Sequence, residues 1–344
     1  MKIKPSHYPF LPRHQFGRFS NVHLDDSIKI EDHEHLLGSL RMFFSALHVL
    51  FRKDCQESKK KWICQEGERV HDVQAVTWYG HATCLIKTEK VSILTDPVFE
   101  SLSVLYKRKV PNLELAHLPA IDVVLVSHNH RDHLDKKTIQ RLSVEHDPFF
   151  LVPQGDKKLL QAWGITKVEE FLWWEKIILN ETAFTFVPAW HWSQRALFDR
   201  NKSLWGGWVM QDAQSTIYFA GDTAYNKKYF DAIARQFPCI DLALLPIGPG
   251  EPEDLMRRSH VNAEQAGQLF LDVGARAFLP IHWGTFQFGF DHFDTPIKRL
   301  IQWWNTVMSG RPGYELLLAP VGKAVHLERK NSCSDTRDQN HQKS

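Results

Sequence analysis

Between Ser127 and His133 the chain reads Ser-His-Asn-His-Arg-Asp-His, which places His128, His130, Asp132 and His133 within six positions. For this composition the pattern His-x-His-x-Asp-His is expected about 0.004 times by chance, so its presence carries information. Two imidazoles at i and i+2 of an extended loop can face one metal ion, and the next turn can carry Asp132 and His133 toward a second. Three more candidates each follow an apolar run: His191 after 185–189, Asp222 after 217–221 and His282 after 278–281. Any one of them alone reads as a hydrogen-bonded structural residue. Together with the first four they complete two coordination shells, in which an aspartate can bridge ions about 3.5 to 4 Å apart. Such a pair acidifies a shared water into a nucleophile for phosphorus or a carbonyl carbon, and Asp132 could bind metal while accepting the water's proton. His81 and Asp96 are expected to orient the ligands rather than bind metal, because a metal-bound imidazole needs a partner on its other nitrogen.

These groups must be aimed by a framework. The run 121–126 is almost continuously apolar, as in a strand buried on both faces, and His128 leaves its C-terminal end. From Val76 onward short apolar runs alternate with helical patterns, the signature of an α/β fold. Strands are expected at 75–79, 82–87, 91–95, 123–127, 149–152, 183–187, 205–211, 216–220, 242–246, 277–281 and 315–318, and helices at 136–144, 156–163, 227–236, 263–273 and 296–308. The chain divides into an N-terminal extension (1–70), a main domain (71–329) and a polar tail (330–344) expected to be disordered. Within the extension, residues from Leu36 to Phe51 follow helical spacing with a wide apolar face. That helix either packs on the main domain or meets a membrane surface, where Arg41, Arg52 and Lys53 would add charge.

Composition bounds the function. With 344 residues, 43% hydrophobic and 24% charged, the chain can bury one large core or two modest ones. Its 42 basic and 40 acidic residues are too balanced to imply a nucleic-acid partner. Five cysteines, without a Cys-x-x-Cys pair, suggest neither a disulfide framework nor a zinc ribbon, and favour a reducing compartment. No secretory signal and no apolar run of about 20 residues is found, so a cytoplasmic location, with peripheral attachment to a membrane as an option, is expected.

The His-x-His-x-Asp-His word followed by His, Asp and His at strand ends resembles the metallo-β-lactamase superfamily, over roughly Val76 to Leu327. The resemblance implies an αββα metallo-β-lactamase sandwich carrying the N-terminal helical extension, with the metals at one edge. By the same resemblance, His128, His130 and His191 would hold one zinc, and Asp132, His133 and His282 the other, with Asp222 bridging. Other first-row divalent metals suit the same donors. The words at 78–83, 95–99, 219–223, 246–248 and 281–286 are similar to the N-acylphosphatidylethanolamine-hydrolysing phospholipase D group. In that group the residue at the position of His260 lies near the metals and handles substrate phosphate. The chain departs from the animal enzymes at Gly248-Pro249-Gly250-Glu251-Pro252 and in a shorter extension. The implied activity is zinc-dependent hydrolysis of N-acylphosphatidylethanolamine to N-acylethanolamine and phosphatidic acid, with Asp132 and His260 as catalytic residues. A lactonase, a small phosphate-ester hydrolase, or a non-catalytic zinc-stapled membrane-binding module are the alternatives. The implied partners are a phospholipid, a membrane surface met through the Leu36 to Phe51 helix, and a second copy in a homodimer. Trp190, Trp192, Trp205, Trp208 and Trp283 crowd the ligand segments and are candidate walls of an acyl pocket.

Overall fold

A computed structural model describes residues 2–22, 61–63, 74–104, 106–111 and 115–326. The expected helix from Leu36 to Phe51 and the polar tail lie outside the described residues. A short hairpin, β1 (Arg13–Gln15) and β2 (Arg18–Ser20), precedes two seven-stranded sheets. The first sheet contains β3 (Ala75–Trp78), β4 (Cys84–Lys87), β5 (Ser92–Thr95), β6 (Val123–Leu125), β7 (Phe149–Pro153) and β8 (Val168–Phe171). The second contains β9 (Lys176–Leu179), β10 (Thr182–Val187), β11 (Gly207–Gln211), β12 (Thr216–Phe219), β13 (Ile240–Pro246), β14 (Ala275–Ile281) and β15 (Glu315–Leu316). The last strand, β16 (Ala324–His326), returns to the first sheet and pairs antiparallel with β3.

The two sheets repeat one plan. In each, hairpin-connected antiparallel strands, β3 to β5 and β9 to β12, give way to parallel ones, β5 to β8 and β12 to β15. Parallel neighbours need a crossover, which is where the helices fall. These are α1 (Lys136–Glu145) and α2 (Lys157–Ala162) in the first half, then α3 (Lys227–Gln236), α4 (Glu253–Met256), α5 (Ala263–Val273) and α6 (Thr295–Val307) in the second. Their starts are fixed locally: the Asp135 side chain accepts from Thr138 N, and Asn262 and Gln265 form a reciprocal capping box at α5.

Period-two alternation sorts the first sheet's side chains into two cores. Cys84, Ile86, Ile93, Val123, Leu125 and Leu151 join the large inter-sheet core. Leu85, Leu94, Val124, Phe150 and Val152 face the other way and are covered by Ile139 and Leu142 of α1 and Leu160 of α2. On the second sheet Phe270 of α5 stacks on Phe278 of β14, with centroids 5.5 Å apart. Helices therefore cover both outer faces of a two-sheet sandwich, the αββα order the sequence implied.

The N-terminal stretch packs on this sandwich. Ile3 bridges to Lys176, Phe19 is buried, and Trp62 sits edge-on against Trp283 at 5.2 Å. Cys84 is a buried thiol, and Cys239 is disulfide-bonded, which the odd cysteine count did not suggest. Among the described residues no helix is long and apolar enough to cross a membrane.

Candidate metal centre

Within each sheet the strands that lead to candidate ligands run in one direction. β3 and β5 both flank β4 antiparallel, and β6 follows β5 parallel, so His81, Asp96 and His128 leave at the same edge. β10 and β12 both flank β11 antiparallel and β13 and β14 follow parallel, which delivers His191, Asp222, Gly248 and His282 to one edge as well. The two edges are seamed by Gly206 N donating to Ser127 O at 3.0 Å and His282 N to His81 O at 2.8 Å. Gly221 permits the closest approach: its φ is +63°, and a Cβ there would lie 2.5 Å from Ser127 Cβ. His81, Asp96 and His282 also hold positive φ (53°, 32° and 62°), a backbone region that non-glycine residues rarely adopt.

The side chains converge in two donor sets. In one, His130 Nδ1 is 2.8 Å from His128 Nε2 and 3.3 Å from His191 Nε2. In the other, His133 Nε2 is 3.3 Å from both Asp132 Oδ2 and His282 Nε2. Asp222 lies between them: Oδ2 is 4.0 Å from His128 Nε2, 3.8 Å from His191 Nε2 and 3.3 Å from His133 Nε2, while Oδ1 is 3.0 Å from His282 Nε2. All seven ligands read from the sequence are thus brought together.

Hydrogen bonds behind the rings fix which nitrogen faces inward. His191 Nδ1 is 2.8 Å from Ser259 O, and His282 Nδ1 is 2.8 Å from Gly248 O. A carbonyl only accepts, so each Nδ1 carries a hydrogen and each Nε2 is the nitrogen turned inward. Ser127 Oγ donates to Asp96 Oδ2 and accepts from His128 Nδ1 at 2.9 Å, while His133 Nδ1 donates to the same Asp96 oxygen at 2.7 Å. Asp96 therefore anchors one ligand of each set, and His81 Nε2 holds Asp132 Oδ2 at 2.9 Å. Both hydrogen-bond to candidate ligands, and each also lies within a group close enough to hold a metal, His81 with Asp132, His133 and His282, and Asp96 with His128 and His133.

Charge follows from this packing. Burial pushes His128 well below its ordinary range, His130 down to about 4 and His191 down to about 3, keeping them neutral. Burial also pulls on His133, but Asp222 and Asp132 outweigh it and carry its pKa well above the usual value. Burial likewise raises Asp132 and Asp222, yet His133 and the neighbouring imidazoles hold both well below the carboxylate range. Asp222 Oδ1, buried without a hydrogen bond among the described residues, lies 3.0 Å from His282 Nε2. A buried carboxylate oxygen in that position is costly unless a cation satisfies it. Imidazole nitrogens and ionised carboxylates converging this way fit divalent metal ions.

Residues 92–283, more than half of the chain and the stretch that contains all seven ligands, match the model of a family described as the Beta-lactamase superfamily domain. The chain belongs to the beta-lactamase superfamily. Among similar curated proteins is the N-acyl-phosphatidylethanolamine-hydrolyzing phospholipase D 1 of Caenorhabditis elegans, 36% identical over 62% of this chain and 64% of that protein. Another is the mitochondrial N-acyl-phosphatidylethanolamine-hydrolyzing phospholipase D of Saccharomyces cerevisiae, 34% identical over 65% of this chain and 50% of that one. The chain thus spans half to just under two thirds of the length of these relatives. Among solved structures, the isothiocyanate hydrolase from Delia radicum gut bacteria superposes with a TM-score of 0.58 over 74% of this chain and 100% of that one, at 18% identity, a likeness of fold.

Around this beta-lactamase superfamily centre the structure adds residues that the sequence reading missed. Arg195 Nη1 donates to Asn129 O at 2.9 Å and to Leu134 O at 2.6 Å, clamping both ends of the turn that carries His130, Asp132 and His133. Its guanidinium is seated over Trp163 at 5.0 Å, and Asn129 Nδ2 donates to the buried Asp156 Oδ1 at 3.0 Å. No local signal marks these residues, because their partners are backbone carbonyls or amides distant in sequence. The expected tryptophan wall needs correction. Trp190, Trp205 and Trp208 are buried core, and Trp208 Nε1 supports the ligand loop by donating to Val126 O at 2.9 Å. Trp192, edge-on to His130 at 4.3 Å, is the member of the group that is partly exposed beside the centre. Trp283, also buried, lines a small open cleft against His81 and His282, with Phe286, Phe288 and Phe293.

Proposed function

We propose that this chain is a zinc-dependent phosphodiesterase of phospholipase D type, hydrolysing N-acylphosphatidylethanolamine to N-acylethanolamine and phosphatidic acid. The donor set around Asp222 carries the reading, and the likeness to two N-acyl-phosphatidylethanolamine-hydrolyzing phospholipases D supports its substrate class. His128, His130 and His191 would hold one ion and Asp132, His133 and His282 the other, with Asp222 shared between them. Bound there, two zinc ions supply an acidified water and positive charge for the phosphoryl oxygens. Water oxygen bonds to phosphorus, the bond from phosphorus to the ethanolamine oxygen breaks, and the water's proton ends on that oxygen. Asp132, held by His81, is placed to accept the proton.

His260 is the second catalytic group in this reading. Its buried Nδ1 lies 3.7 Å from Asp222 Oδ2 and lacks a hydrogen bond among the described residues. Burial pushes its pKa down to about 3, so at neutral pH it meets a phosphoryl or leaving oxygen as a neutral N–H donor. Phe286, Phe288 and Phe293 give the cleft beside His81 and His282 an apolar wall.

The decisive experiment loads the full chain with zinc and follows N-acylphosphatidylethanolamine in vesicles. Equimolar N-acylethanolamine and phosphatidic acid are expected, with Asp222→Asn inactive. Lactone cleavage without lipid turnover would reject the assignment. His260→Ala should lower kcat about 10²- to 10³-fold while the metal content measured by atomic emission stays at the wild-type value.

A further inference from the structure

Three large apolar side chains stand exposed on two neighbouring tips. Phe16, at the turn between β1 and β2, is 100% exposed, and Leu197 and Phe198, on the loop after His191, are 79% and 77% exposed. Hydrogen bonds tie the tips together: Phe19 N donates to Asn201 O at 2.7 Å, and the Arg18 guanidinium donates to Arg200 O. They also rim the metal centre. The Arg200 guanidinium lies 4.8 Å over the Trp192 ring that packs on His130, and Asn21 Nδ2 donates to His191 O at 2.9 Å.

The charge of these segments is one-sided. Residues 13–20 and 192–202 carry five cations, Arg13, Arg18, Arg195, Arg200 and Lys202, against Asp199 as their one acid. Asp199 Oδ1 is turned back into its own loop, accepting from Arg195 N at 3.1 Å and Ala196 N at 2.9 Å. Arg13, Arg18 and Lys202 are exposed, as is Arg131 next to the ligand turn.

We propose that the Phe16 tip and the Leu197-Phe198 tip form one surface that docks on an anionic phospholipid bilayer at the rim of the metal centre. Apolar side chains flanked by cations match such an interface, where the former enter the acyl boundary and the latter meet lipid phosphates. A stable protein interface needs roughly 1,000 Å² of complementary surface, which three side chains on protruding tips do not offer. The inference rests on the phospholipid reading above, because a bilayer seated here would present its lipids to the side of the centre bounded by His130 and His191.

The test is co-sedimentation of the zinc-loaded full chain with vesicles of phosphatidylcholine alone and with phosphatidylglycerol added to about one lipid in three. Wild type is expected to bind the anionic vesicles at least about tenfold more tightly than the neutral ones. The triple variant Phe16→Ser, Leu197→Ser, Phe198→Ser should weaken that binding about tenfold or more, with hydrolysis of soluble bis(para-nitrophenyl) phosphate within about twofold of wild type. The independent pair Arg13→Glu, Lys202→Glu should do the same through charge alone. Equal binding to both vesicle types, or variants that bind as wild type does, overturns the proposal. So does a triple variant whose only change, by light scattering, is the loss of a dimer. Failure of the activity reading looks different: the protein binds vesicles and never turns over the N-acyl lipid.

Discussion

At the residue scale, Asp96 has the widest reach for a group that need not touch metal. It accepts from Ser127 N at 2.7 Å, from Ser127 Oγ and from His133 Nδ1, and through Ser127 it also sets the tautomer of His128. Asp96→Asn would turn an amide hydrogen toward one of these donors, so zinc affinity in a chelator competition should weaken about 10- to 100-fold. An unchanged affinity would show that the ligand rings orient themselves. Asp156, fully buried beneath Asn129, makes a different prediction. Burial pushes its carboxyl from 3.8 up to about 7 against the opposing pull of Ser203 and Asn129. A folded pKa above the unfolded one means that the proton stabilises the fold: this contribution is complete below about pH 4 and is lost as pH rises through 7. Urea midpoints of Asp156→Asn should therefore fall less than those of wild type between pH 4 and 7, and parallel curves would remove Asp156 as the cause.

At the element scale, the seven candidate ligands were legible because they follow apolar strand runs, four of them within one short word after β6. Ten of the eleven expected strands lead or back the two sheets with shifts of a residue or two at their ends; the eleventh, around Glu315, survives as the two-residue β15. What escaped notice has physical causes. β8 carries Glu169 and Glu170 at its centre because it is an edge strand, and β16 is three residues long, so neither has an apolar period to read. The Arg195 clamp escaped for a similar reason: it joins a loop of the second half to a turn of the first through carbonyl oxygens, which every residue possesses. Replacing Arg195 by Ala frees both ends of that turn, so zinc retention during dialysis should fall about tenfold or more. Lysine, with a single ammonium, should not restore the two-point hold. Gly221→Ala tests the other close approach. The added methyl meets Ser127 Cβ, so a loss of about 1 to 3 kcal/mol in chemical denaturation is expected along with poorer metal binding.

At the scale of the whole molecule, the centre divides its candidate ligands between the halves. His128, His130, Asp132 and His133 come from the first sheet's edge, and His191, Asp222 and His282 from the second's. Ions shared across that seam would act as a staple, and a ligand at about a hundred times its Kd stabilises by about 2.7 kcal/mol. Chelation should accordingly lower the Tm by about 5 °C or more, reversed by adding zinc. A Tm indifferent to chelation would mean that the sandwich holds its edge together without metal. The α/β class followed from alternating strands and helices, and the sandwich with its centre at one edge from the family resemblance. The partnership of the two halves did not, since pairings such as His282 with His81 depend on two sheets meeting face to face.

The returning strand β16 bears on how the protein is made. Thr77 of β3 pairs with Ala324, and Gly322 N donates to Trp78 O, so an early strand finds its neighbour only after nearly all the described chain has been synthesised. A nascent chain on the ribosome must carry β3 with one open edge through that interval, during which His191, Asp222 and His282 have still to emerge. Open strand edges invite pairing with other chains. Slow translation through the second half, or a shortage of chaperones that shield such edges, would therefore cost yield before it cost activity.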